Sequence, residues 1–563
     1  MKTGLSIIAL CMAGALFSSS LLDLPATIPI QFADTTAASG IKAIMRCGSP
    51  QKQWIPEANG SGVAWLDYDN DGLMDLLIVN GSNMENLRQL VSGKTPAAPK
   101  GAIDLYRNLG AGRFKDVTSE AGLADPYWGT GANAADYNND GFTDIFVTTI
   151  GRDLLYRNNG NGTFTEVAEA AGLSPHIAWH TGSAFGDYDN DGKLDLFVAG
   201  YVQIQPVLAA GPTPPVCNYR GVMGFCGPKG LAGERDLLYH NNGDGTFREV
   251  SEQAGVADRE GRHGFTAVFD DFNGDGKIDL FVANDSDPNY LYLNQGDGTF
   301  KERALESGVA FNENGETQAN MGVAVGDYDG NGLPDIFVTT FSQDYFPLFR
   351  QVRPGLYEEG AASTGLANQT RSWLGWACGF TDFDNDGHPD LWIANGHVYP
   401  QIDRGGQSTY NEPVAVFRNH VSQFVLEGPT PAVQPNSYRG GAAGDFDNDG
   451  RVDLIVLPIS GSPVLLRNQT RAASWIGFTL RGRRSNRDGI GAKVQIRACG
   501  ITQMQTAKNG GSYISRDDGR IHFGIGECSS IEQATVLWPT GYLQTISNLK
   551  PNRYLVIDEE IPR

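Results

Sequence analysis

The sequence predicts an all-β protein in which a seven-bladed β-propeller is followed by a small β-rich, sandwich-like domain. Three observations predict this fold: a nine-residue acidic pattern that occurs seven times, a Gly-rich turn pattern between its copies, and a reversal of charge near residue 470. Glycine makes up 71 of the 563 residues, beside 27 Phe and 20 Tyr. That combination is typical of short strands joined by tight turns.

The acidic pattern is Asp-x-Asp/Asn-x-Asp/Asn-Gly-x-x-Asp, and each copy runs directly into a short apolar segment such as residues 76–79. Such β-branched and aromatic segments are typical of buried strands. We number the repeats as units 1 to 7 in chain order. Their acidic loops begin at Asp67, Asp136, Asp187, Asp271, Asp327, Asp382 and Asp445.

The second pattern lies between the acidic loops. An apolar pair is followed by Arg-Asn, His-Asn or Leu-Asn, then by a Gly-rich turn and a Phe; residues 105–108 and 112–114 are one copy, and looser copies lie near Phe349 and Phe417. Asn-Gly and Asp-Gly between two strand-like segments predict hairpins. Each unit is therefore a set of antiparallel strands of roughly fifty residues, the size of a propeller blade.

The two ends of the repeat series complement each other. The last unit ends at residues 465–468 without a Phe strand, and residues 32–36 supply that missing strand at the start of the mature chain. We therefore predict that the N-terminal strand completes the last blade and closes a ring, which removes exposed sheet edges. The alternative, an open solenoid, would need atypical capping repeats at its ends.

Composition divides the chain into three parts. Residues 1–20, with Lys2 ahead of an apolar run, predict a secretory signal peptide, the alternative being an uncleaved N-terminal anchor. Residues 27–470 form the predicted propeller and residues 472–563 the tail domain. The whole chain carries −22 and the tail about +4, so a basic face for nucleic acid is not expected. We expect a monomer without stable membrane insertion after signal cleavage, located in the secreted, periplasmic or cell-surface space.

Six cysteines remain after the signal peptide, and an even number in an exported chain favours disulfides. Cys217 and Cys226 flank a short Gly-rich segment inside a Pro- and Gly-rich insertion, so they are the first candidate pair. Cys499 and Cys528 in the tail are the second candidate pair, which leaves Cys47 with Cys378. Six cysteines allow fifteen connectivities, and the sequence alone does not choose among them.

The acidic loops have the residue types and spacing of a calcium site. Ca²⁺ takes six to eight oxygens, which side chains at positions one, three, five and nine and the carbonyl of position seven would supply, while Gly at position six permits a sharp turn. An EF-hand is excluded, since its Glu at position twelve is replaced by Ile or Val in all seven loops. An ordinary acidic turn is the other alternative. We predict up to seven Ca²⁺ ions, held by Asp67, Asp69, Asp71, Leu73, Asp75, Asp136, Asn138, Asp140, Phe142, Asp144, Asp187, Asp189, Asp191, Lys193, Asp195, Asp271, Asn273, Asp275, Lys277, Asp279, Asp327, Asp329, Asn331, Leu333, Asp335, Asp382, Asp384, Asp386, His388, Asp390, Asp445, Asp447, Asp449, Arg451 and Asp453.

A second candidate site comes from residues that precede the acidic loops at similar offsets. In a closed ring such positions converge on one axis, and a funnel lined by Trp, His and Arg would suit a sugar or an anionic glycan. The alternative is that these side chains pack between blades. The residues are Trp128, Trp179, His180, Arg262, His263, Trp376 and Arg439. The tail also holds a basic cluster, interpreted either as a solvated loop or as a site for an anionic ligand, at Arg481, Arg483, Arg484 and Arg487.

The acidic repeats resemble the FG-GAP/VCBS repeats of integrin-α-like propellers. The tail resembles the ASPIC/UnbV domain, through residues 485–492, 511–513, 522–524 and 538–541. The combination, together with residues 217–220 and 226–228, is similar to the cartilage acidic protein family and its bacterial relatives. The resemblance implies an exported calcium-binding propeller used for adhesion or recognition.

Two functions follow as hypotheses. The first is a recognition or adhesion module for an extracellular glycan or protein partner. The alternative is a carbohydrate-active, polysaccharide lyase-like enzyme with its site at the funnel. No catalytic residue is assigned, because the eight histidines are dispersed and the chain has neither zinc-ligand spacing nor a Gly-x-Ser-x-Gly elbow.

Overall fold

A computed structural model describes residues 29–94, 102–123, 127–209, 211, 213–405, 408–421 and 423–561. The predicted signal peptide lies outside these residues. The described chain is nearly all β, and its strand pairing gives seven antiparallel sets of four, with units 2 and 3 also joined to each other. The predicted all-β propeller is confirmed. Within the described ranges no helix is long and apolar enough to cross a lipid bilayer.

Each unit begins with the strand that leads into its acidic loop, and the second strand begins at position nine of that loop. The strands of unit 1 are Val63–Leu66, Asp75–Val79, Ile103–Asn108 and Phe114–Asp116. Those of unit 2 are Trp128–Ala135, Asp144–Gly151, Leu154–Asn158 and Phe164–Glu166. Those of unit 3 are Ala178–Gly186, Asp195–Gly200, Leu237–Asn241 and Phe247–Glu249. Those of unit 4 are Gly264–Asp270, Asp279–Asn284, Tyr290–Asn294 and Phe300–Glu302.

The remaining units repeat this order, and the last one borrows its fourth strand. The strands of unit 5 are Val323–Gly326, Asp335–Val338, Leu348–Arg353 and Leu356–Glu359. Those of unit 6 are Gly375–Thr381, Asp390–Asn395, Val414–Asn419 and Phe424–Pro429. Those of unit 7 are Tyr438–Gly444, Asp453–Pro458, Val464–Asn468 and, from the start of the chain, Phe32–Asp34.

The ring closes as the sequence predicts. Phe32 pairs with Asn468 and Asp34 with Leu466, in an antiparallel register. The first strands of units 1 and 7 also contact each other, as the first strands of the other neighbouring units do. Buried apolar residues from adjacent units form shared cores between the sheets, so each unit is stabilised by its neighbours.

Short helices occupy the connections. Several one-turn helices follow a Phe strand and end at a left-handed Gly; a Cβ on Gly40, for example, would lie 2.5 Å from the carbonyl oxygen of Phe114. The α-helices are Thr36–Ser39, Met84–Val91, Thr118–Ala121, Ile204–Ala209, Ser251–Ala254, Ala304–Ser307 and Leu366–Thr370, and the 3-10 helices are Ile55–Ala58 and Ile402–Arg404. An extra hairpin, Val216–Tyr219 with Val222–Phe225, lies in the Pro- and Gly-rich insertion.

The tail domain has the predicted β-rich, two-sheet form. Its first sheet contains Ser474–Arg481, Ile521–Gly526 and Tyr554–Asp558, and its second contains Lys493–Ala498, Ile501–Thr506, Ile531–Leu537 and Leu543–Ile546. Buried residues of the two sheets, such as Phe478 and Val536, share one core.

The loop between the strands that end at Thr506 and begin at Ile521 enters the centre of the propeller. Ser512 pairs with Val323 of unit 5, and the Ser512 hydroxyl donates to the carbonyl of Gly441 in unit 7 at 2.8 Å. The backbone N–H of Ala132 in unit 2 donates to the carbonyl of Ile514 at 3.0 Å. We call residues 507–518 the plug, because this segment lies among the first strands of the ring.

The disulfide predictions are partly right. Cys217–Cys226 and Cys499–Cys528 are bonded, which confirms the first two candidate pairs. The remaining pair, Cys47 with Cys378, is wrong, since both are free thiols. The physical reason is their location: each is buried in a different apolar core of the propeller.

Candidate functional site

The seven acidic loops share one hydrogen-bond scheme, which begins at position one. In every loop both carboxylate oxygens of this Asp accept backbone N–H groups, one from position five and one from position six. In unit 1 the Asp67 carboxylate accepts from Asp71 at 3.1 Å and from Gly72 at 3.0 Å. The position-seven N–H then donates to the position-five side chain, as Leu73 does to Asp71 at 2.9 Å. The loop backbone therefore holds its acidic side chains in place.

Position nine carries the most buried carboxylate of each loop. Asp75 is 0% exposed, and its two oxygens accept backbone N–H groups of Asn108 and Tyr68 at 2.7 and 3.1 Å. Burial raises the pKa of Asp75 to about 8 and that of Asp144 to about 9. Burial likewise raises the pKa of Asp195, and nearby loop carboxylates raise it further. Loss of hydration makes the ionised form of these groups costly, so each position-nine carboxyl group needs either a proton or a compensating positive charge.

Position four has a left-handed backbone in all seven loops and is occupied by Asn or Gly. Asn70 has φ +60° and Gly274 φ +72°. Several of these Asn side chains donate to the position-six carbonyl of the next loop, and Asn448 of unit 7 donates to Gly72 of unit 1 at 2.9 Å. These bonds link neighbouring loops, and the bond from Asn448 does so across the point of ring closure.

The structure brings the predicted metal ligands together in separate clusters. Carboxylate oxygens lie within 4.8 Å of one another in clusters of units 1, 3, 5 and 6, which are Asp67, Asp69 and Asp71; Asp187, Asp189 and Asp191; Asp327, Asp329 and Asp335; and Asp382, Asp384 and Asp390. Basic side chains from the Arg-Asn pattern approach position three, as Arg107 does to Asp69 at 2.7 Å and Arg467 to Asp447 at 2.7 Å. In unit 1 the single arginine leaves a loop of four carboxylates with a net negative formal charge.

The Asn of the Arg-Asn pattern has a role that the sequence did not reveal. Its side-chain N–H group donates to the position-eight carbonyl of its own loop and to the position-two carbonyl of the preceding unit. Asn294, for example, donates to Ile278 at 2.9 Å and to Tyr188 of unit 3 at 2.7 Å. Unit 5 uses Gln351 in the same place, donating to Phe272 of unit 4 at 2.5 Å. These bridging amides tie every acidic loop to its neighbour.

Replacing one bridging amide should destabilise the ring. Asn294→Ala leaves two buried carbonyls unpaired, and each unpaired group costs roughly 1–3 kcal/mol. We expect the substitution to lower the free energy of unfolding by at least about 2 kcal/mol, measured by urea denaturation. Gln295→Ala is the matched control, because its exposed side chain makes one bond within its own unit. Equal stability of the two variants would contradict the bridging role.

The tail domain rests on the face that carries the acidic loops. Lys493 lies 2.7 Å from the Asp271 carboxylate of unit 4, and the Tyr554 hydroxyl donates to Asp445 of unit 7 at 2.9 Å. The backbone N–H of Arg487 donates to the side chain of Asn139 in unit 2 at 2.8 Å. The basic tail therefore faces the acidic part of the propeller, which explains the reversal of charge along the sequence.

The predicted funnel residues are largely buried, and most of their polar groups contact other residues of the protein; the indole nitrogen of Trp179 is buried without a hydrogen-bond partner among the described residues. His180 and His263 pair with the carboxylates of Asp153 and Asp287 at 2.5 and 2.7 Å. The Trp376 indole donates to the Gly396 carbonyl at 2.8 Å. Trp128 and Trp179 belong to the same apolar cluster as Trp376. The guanidinium groups of Arg262 and Arg439 stack on Tyr290 and Trp376 at 3.8 and 4.2 Å.

The plug occupies the space that a funnel ligand would need. Tyr513 is fully buried, with its ring centroid 4.7 Å from that of Trp376 and 5.5 Å from that of Phe265. Its hydroxyl donates to the Asn59 carbonyl at 3.0 Å. A cavity between the plug and units 2 to 4 measures about 10 Å³, which is no more than the room for one water. Trp128, Trp179 and Trp376 thus share one apolar cluster with Tyr513. The binding role of the seven predicted residues stays a prediction.

Comparisons with known proteins agree with this architecture. The FG-GAP-like repeat model matches residues 90–147, 136–198, 271–338 and 382–456. The ASPIC and UnbV model matches residues 482–562. Human cartilage acidic protein 1 is 27% identical over 312 residues, covering 52% of this chain and 43% of the relative. Its Xenopus tropicalis counterpart is 28% identical over 304 residues, covering 50% and 43%. The chain thus spans less than half the length of these curated relatives.

Solved structures give more distant similarities. An Agrocybe aegerita lectin that recognises non-reducing terminal N-acetylglucosamine aligns with a TM-score of 0.37 and 16% identity, covering 66% of this chain and 81% of the lectin. The V. cholerae biofilm matrix protein Bap1 aligns with a TM-score of 0.36 and 10% identity, covering 79% and 92%. By its repeats and its tail, the chain belongs to the FG-GAP-repeat propeller proteins that carry a C-terminal ASPIC and UnbV domain, and its homologues are the cartilage acidic proteins.

Proposed function

We propose that the protein is an exported calcium-binding propeller that acts as a recognition or adhesion module for a glycan or protein partner. The observation that carries the calcium assignment is the repeated burial of a position-nine carboxylate beside further acidic side chains. Seven loops with the same hydrogen-bond scheme would each present oxygen ligands to a hard cation.

The donor set fits calcium. Asp144 Oδ2, Asp384 Oδ1 and Asp447 Oδ1 are buried and have no hydrogen-bond partner among the described residues. Buried polar atoms without partners are uncommon, and a metal ion is one explanation for them. Positions one, three, five and nine, with the position-seven carbonyl, would hold the ion. Bound calcium would supply the positive charge that these carboxylates need and would fix the loops between neighbouring units.

Several findings support export and recognition. The two disulfides are typical of oxidising compartments such as the extracellular space or the bacterial periplasm. Recognition is the function that a rigid ring with exposed connecting loops serves well. Because Tyr513 fills the funnel, we place the partner surface outside the channel. The lyase-like alternative requires an open funnel, and no observation in the described part of the channel favours it.

Substitution of one position-nine residue tests the calcium assignment. Asp144→Asn keeps Oδ1 available to the N–H of Asn158, at 2.7 Å in the native protein, and changes the oxygen that has no partner. We expect this variant to bind one calcium ion fewer than the wild type in isothermal titration calorimetry and elemental analysis. In EGTA at pH 8 its stability should match or exceed that of the wild type. Asp144, with a pKa raised to about 9 by burial, must take up a proton when the metal-free protein folds at pH 8, whereas the neutral Asn side chain does not.

Asp244→Asn is the control for this substitution, since Asp244 is an exposed turn residue outside the acidic loops. The control should keep the wild-type calcium stoichiometry. An unchanged stoichiometry in Asp144→Asn, or wild-type protein without calcium, would overturn the calcium assignment.

The recognition proposal is tested separately, by a glycan array and a protein-binding screen carried out in calcium and again in EGTA. Binding that depends on calcium and leaves the glycan intact supports a recognition module. Release of unsaturated uronate products would instead establish the enzymatic alternative.

A further inference from the structure

A cleft separates the tail domain from the acidic loops of units 2 and 3. Residues 482–485 and Arg487 form its tail side, residues 139–141 its side in unit 2, and Gly192 its contact with unit 3. Its volume is about 320 Å³, which lies at the lower end of the range of small-molecule sites. The lining residues include no aromatic side chain, so a ligand would be recognised by charge and hydrogen bonding rather than by stacking.

The cleft contains an excess of positive charge. Arg483, Arg484 and Arg487 line it together with one acid, Asp140. Arg483 lies 4.0 Å from Asp558, with both side chains about half exposed. In the described part of the chain no carboxylate lies within 4 Å of the guanidinium of Arg484 or Arg487. Arginines elsewhere in the propeller, such as Arg107 of unit 1, form ion pairs with loop carboxylates.

The loop that carries these arginines is held rigidly. The carboxylate of Glu559 accepts the backbone N–H groups of Arg483, Arg484 and Ser485 at 2.8, 2.8 and 2.9 Å. Asn486 is fully buried and exchanges two 2.8 Å hydrogen bonds with the backbone of Ile490. The backbone donors already have their partner, and one N–H group of the Arg487 guanidinium donates to the carbonyl of Gly482 at 3.5 Å. The other guanidinium N–H groups of the three arginines are the donors left for a ligand in the cleft.

Contacts with the propeller also fix the position of the basic loop. The Arg487 N–H donates to the side chain of Asn139, and the Arg487 guanidinium lies beside Gly141. A Cβ on Gly192 would lie 2.4 Å from the carbonyl oxygen of Arg484. The basic loop and the acidic loops therefore meet in one defined geometry, and the cleft exists only when the tail is docked on the propeller.

We propose that this cleft binds the oxyanion group of a sulfate or phosphate ester. Planar guanidinium groups present paired N–H donors that match such oxyanions, and two or three arginines around one small space favour a group with several charged oxygens. The cleft is larger than a bare oxyanion needs, which leaves room for the sugar or other small molecule that carries the ester. This site does not depend on the proposed recognition of a partner by the rest of the propeller.

The Asp140 carboxylate should make ester binding depend on the cation in the unit 2 loop. It belongs to position five of the unit 2 loop and would repel an anion. A cation held by that loop would offset this repulsion, so ester binding should be tighter in calcium than in EGTA. Since the arginines remain in either condition, weak binding in EGTA is expected rather than none.

The experiment uses the full-length protein and isothermal titration calorimetry. The probes are sodium sulfate, glucosamine 6-sulfate and glucose 6-phosphate, each titrated in calcium and in EGTA. The double variant Arg484→Gln and Arg487→Gln should weaken binding of the preferred ester by about tenfold or more, because two charge-assisted contacts are lost. The matched control is Arg113→Gln with Arg152→Gln, two exposed arginines in hairpin turns of units 1 and 2. This control variant should bind the ester with an affinity within about twofold of that of the wild type, because exposed charges far from the cleft contribute little.

The outcomes distinguish the possibilities. Preference for the sulfate or for the phosphate ester identifies the source of the oxyanion. An unchanged melting temperature in the double variant shows that loss of binding is not loss of fold. Wild-type protein that binds none of the probes in either condition overturns the proposal. An equal loss of binding in both double variants also overturns it, because it would show nonspecific attraction to positive charge.

Discussion

Removing calcium with excess EGTA at pH 8 is expected to destabilise the protein by several kcal/mol. At about 1 mM free calcium and a dissociation constant of about 10⁻⁴ M, one loaded loop contributes about 1.4 kcal/mol, so seven loaded loops would contribute about 10 kcal/mol. Asn294 connects the loops of units 3 and 4, because its backbone N–H donates to position-nine Asp279 and its side chain donates to the carbonyl of Tyr188. Loops that lose their ion should therefore also loosen their neighbours. Calorimetric melting in calcium and in EGTA measures the difference, and magnesium is the control cation.

The raised pKa values of the position-nine residues predict how the stability of the metal-free protein changes with pH. Burial raises the pKa of Asp279 and Asp335 to about 8, and that of Asp144 to about 9, from an ordinary value near 3.8. A raised native pKa means that the folded state holds a proton which the unfolded state has already lost. This stabilising contribution is complete below about pH 4 and disappears as the pH rises through about 8 to 9.

In EGTA the melting temperature should therefore fall between pH 5 and pH 9, whereas the calcium-loaded protein should show a smaller decrease. The gap between the two melting curves should widen as the pH rises, because protons and calcium compete for the same carboxylates. A gap that stays constant, or a melting temperature that EGTA does not change at pH 8, would show that the loops do not depend on a metal ion.

The sequence predicted those features that are encoded in short segments. The acidic loops, the hairpins that follow them and the disulfide between Cys217 and Cys226 each depend on residues close together in the chain. Ring closure was also predictable, because the segment at Phe32 supplies what the last unit lacks. The hairpins and loops are favoured by the local backbone geometry of their Asn-Gly and Asp-Gly turns.

Features that depend on distant contacts were not predictable from the pattern. The Asn108 side chain donates to the carbonyl of Phe446, 338 residues away, and nothing near Asn108 in the sequence indicates that bond. The free thiols of Cys47 and Cys378 show the same limit, since counting cysteines gives no information on which cores enclose them. The repeat indicated that Trp179 and Trp376 lie in one region, but it did not indicate that Tyr513 of the tail domain packs on Trp376.

Replacing Tyr513 is the substitution expected to have the largest effect on stability. The side chain is 0% exposed, and it contacts Trp376 of unit 6 and Phe265 of unit 4. Truncating a buried aromatic residue costs about 3–5 kcal/mol, through lost burial and the cavity left behind. Tyr513→Ala should therefore lower the free energy of unfolding by that amount, measured by urea denaturation in calcium.

Two control substitutions distinguish the contribution of the Tyr513 ring from that of its hydroxyl group and from that of an exposed side chain. Tyr513→Phe keeps the ring and loses only the bond to the Asn59 carbonyl, so it should cost about 1 kcal/mol. Leu543→Ala, at a side chain of the same domain that is 58% exposed, should change stability by no more than about 0.5 kcal/mol. If the plug couples the two domains, Tyr513→Ala should also separate the unfolding of the tail from that of the propeller in calorimetry. A single transition at the wild-type temperature would show instead that the ring closes without the plug, and that the tail is held by its contacts with the acidic loops alone.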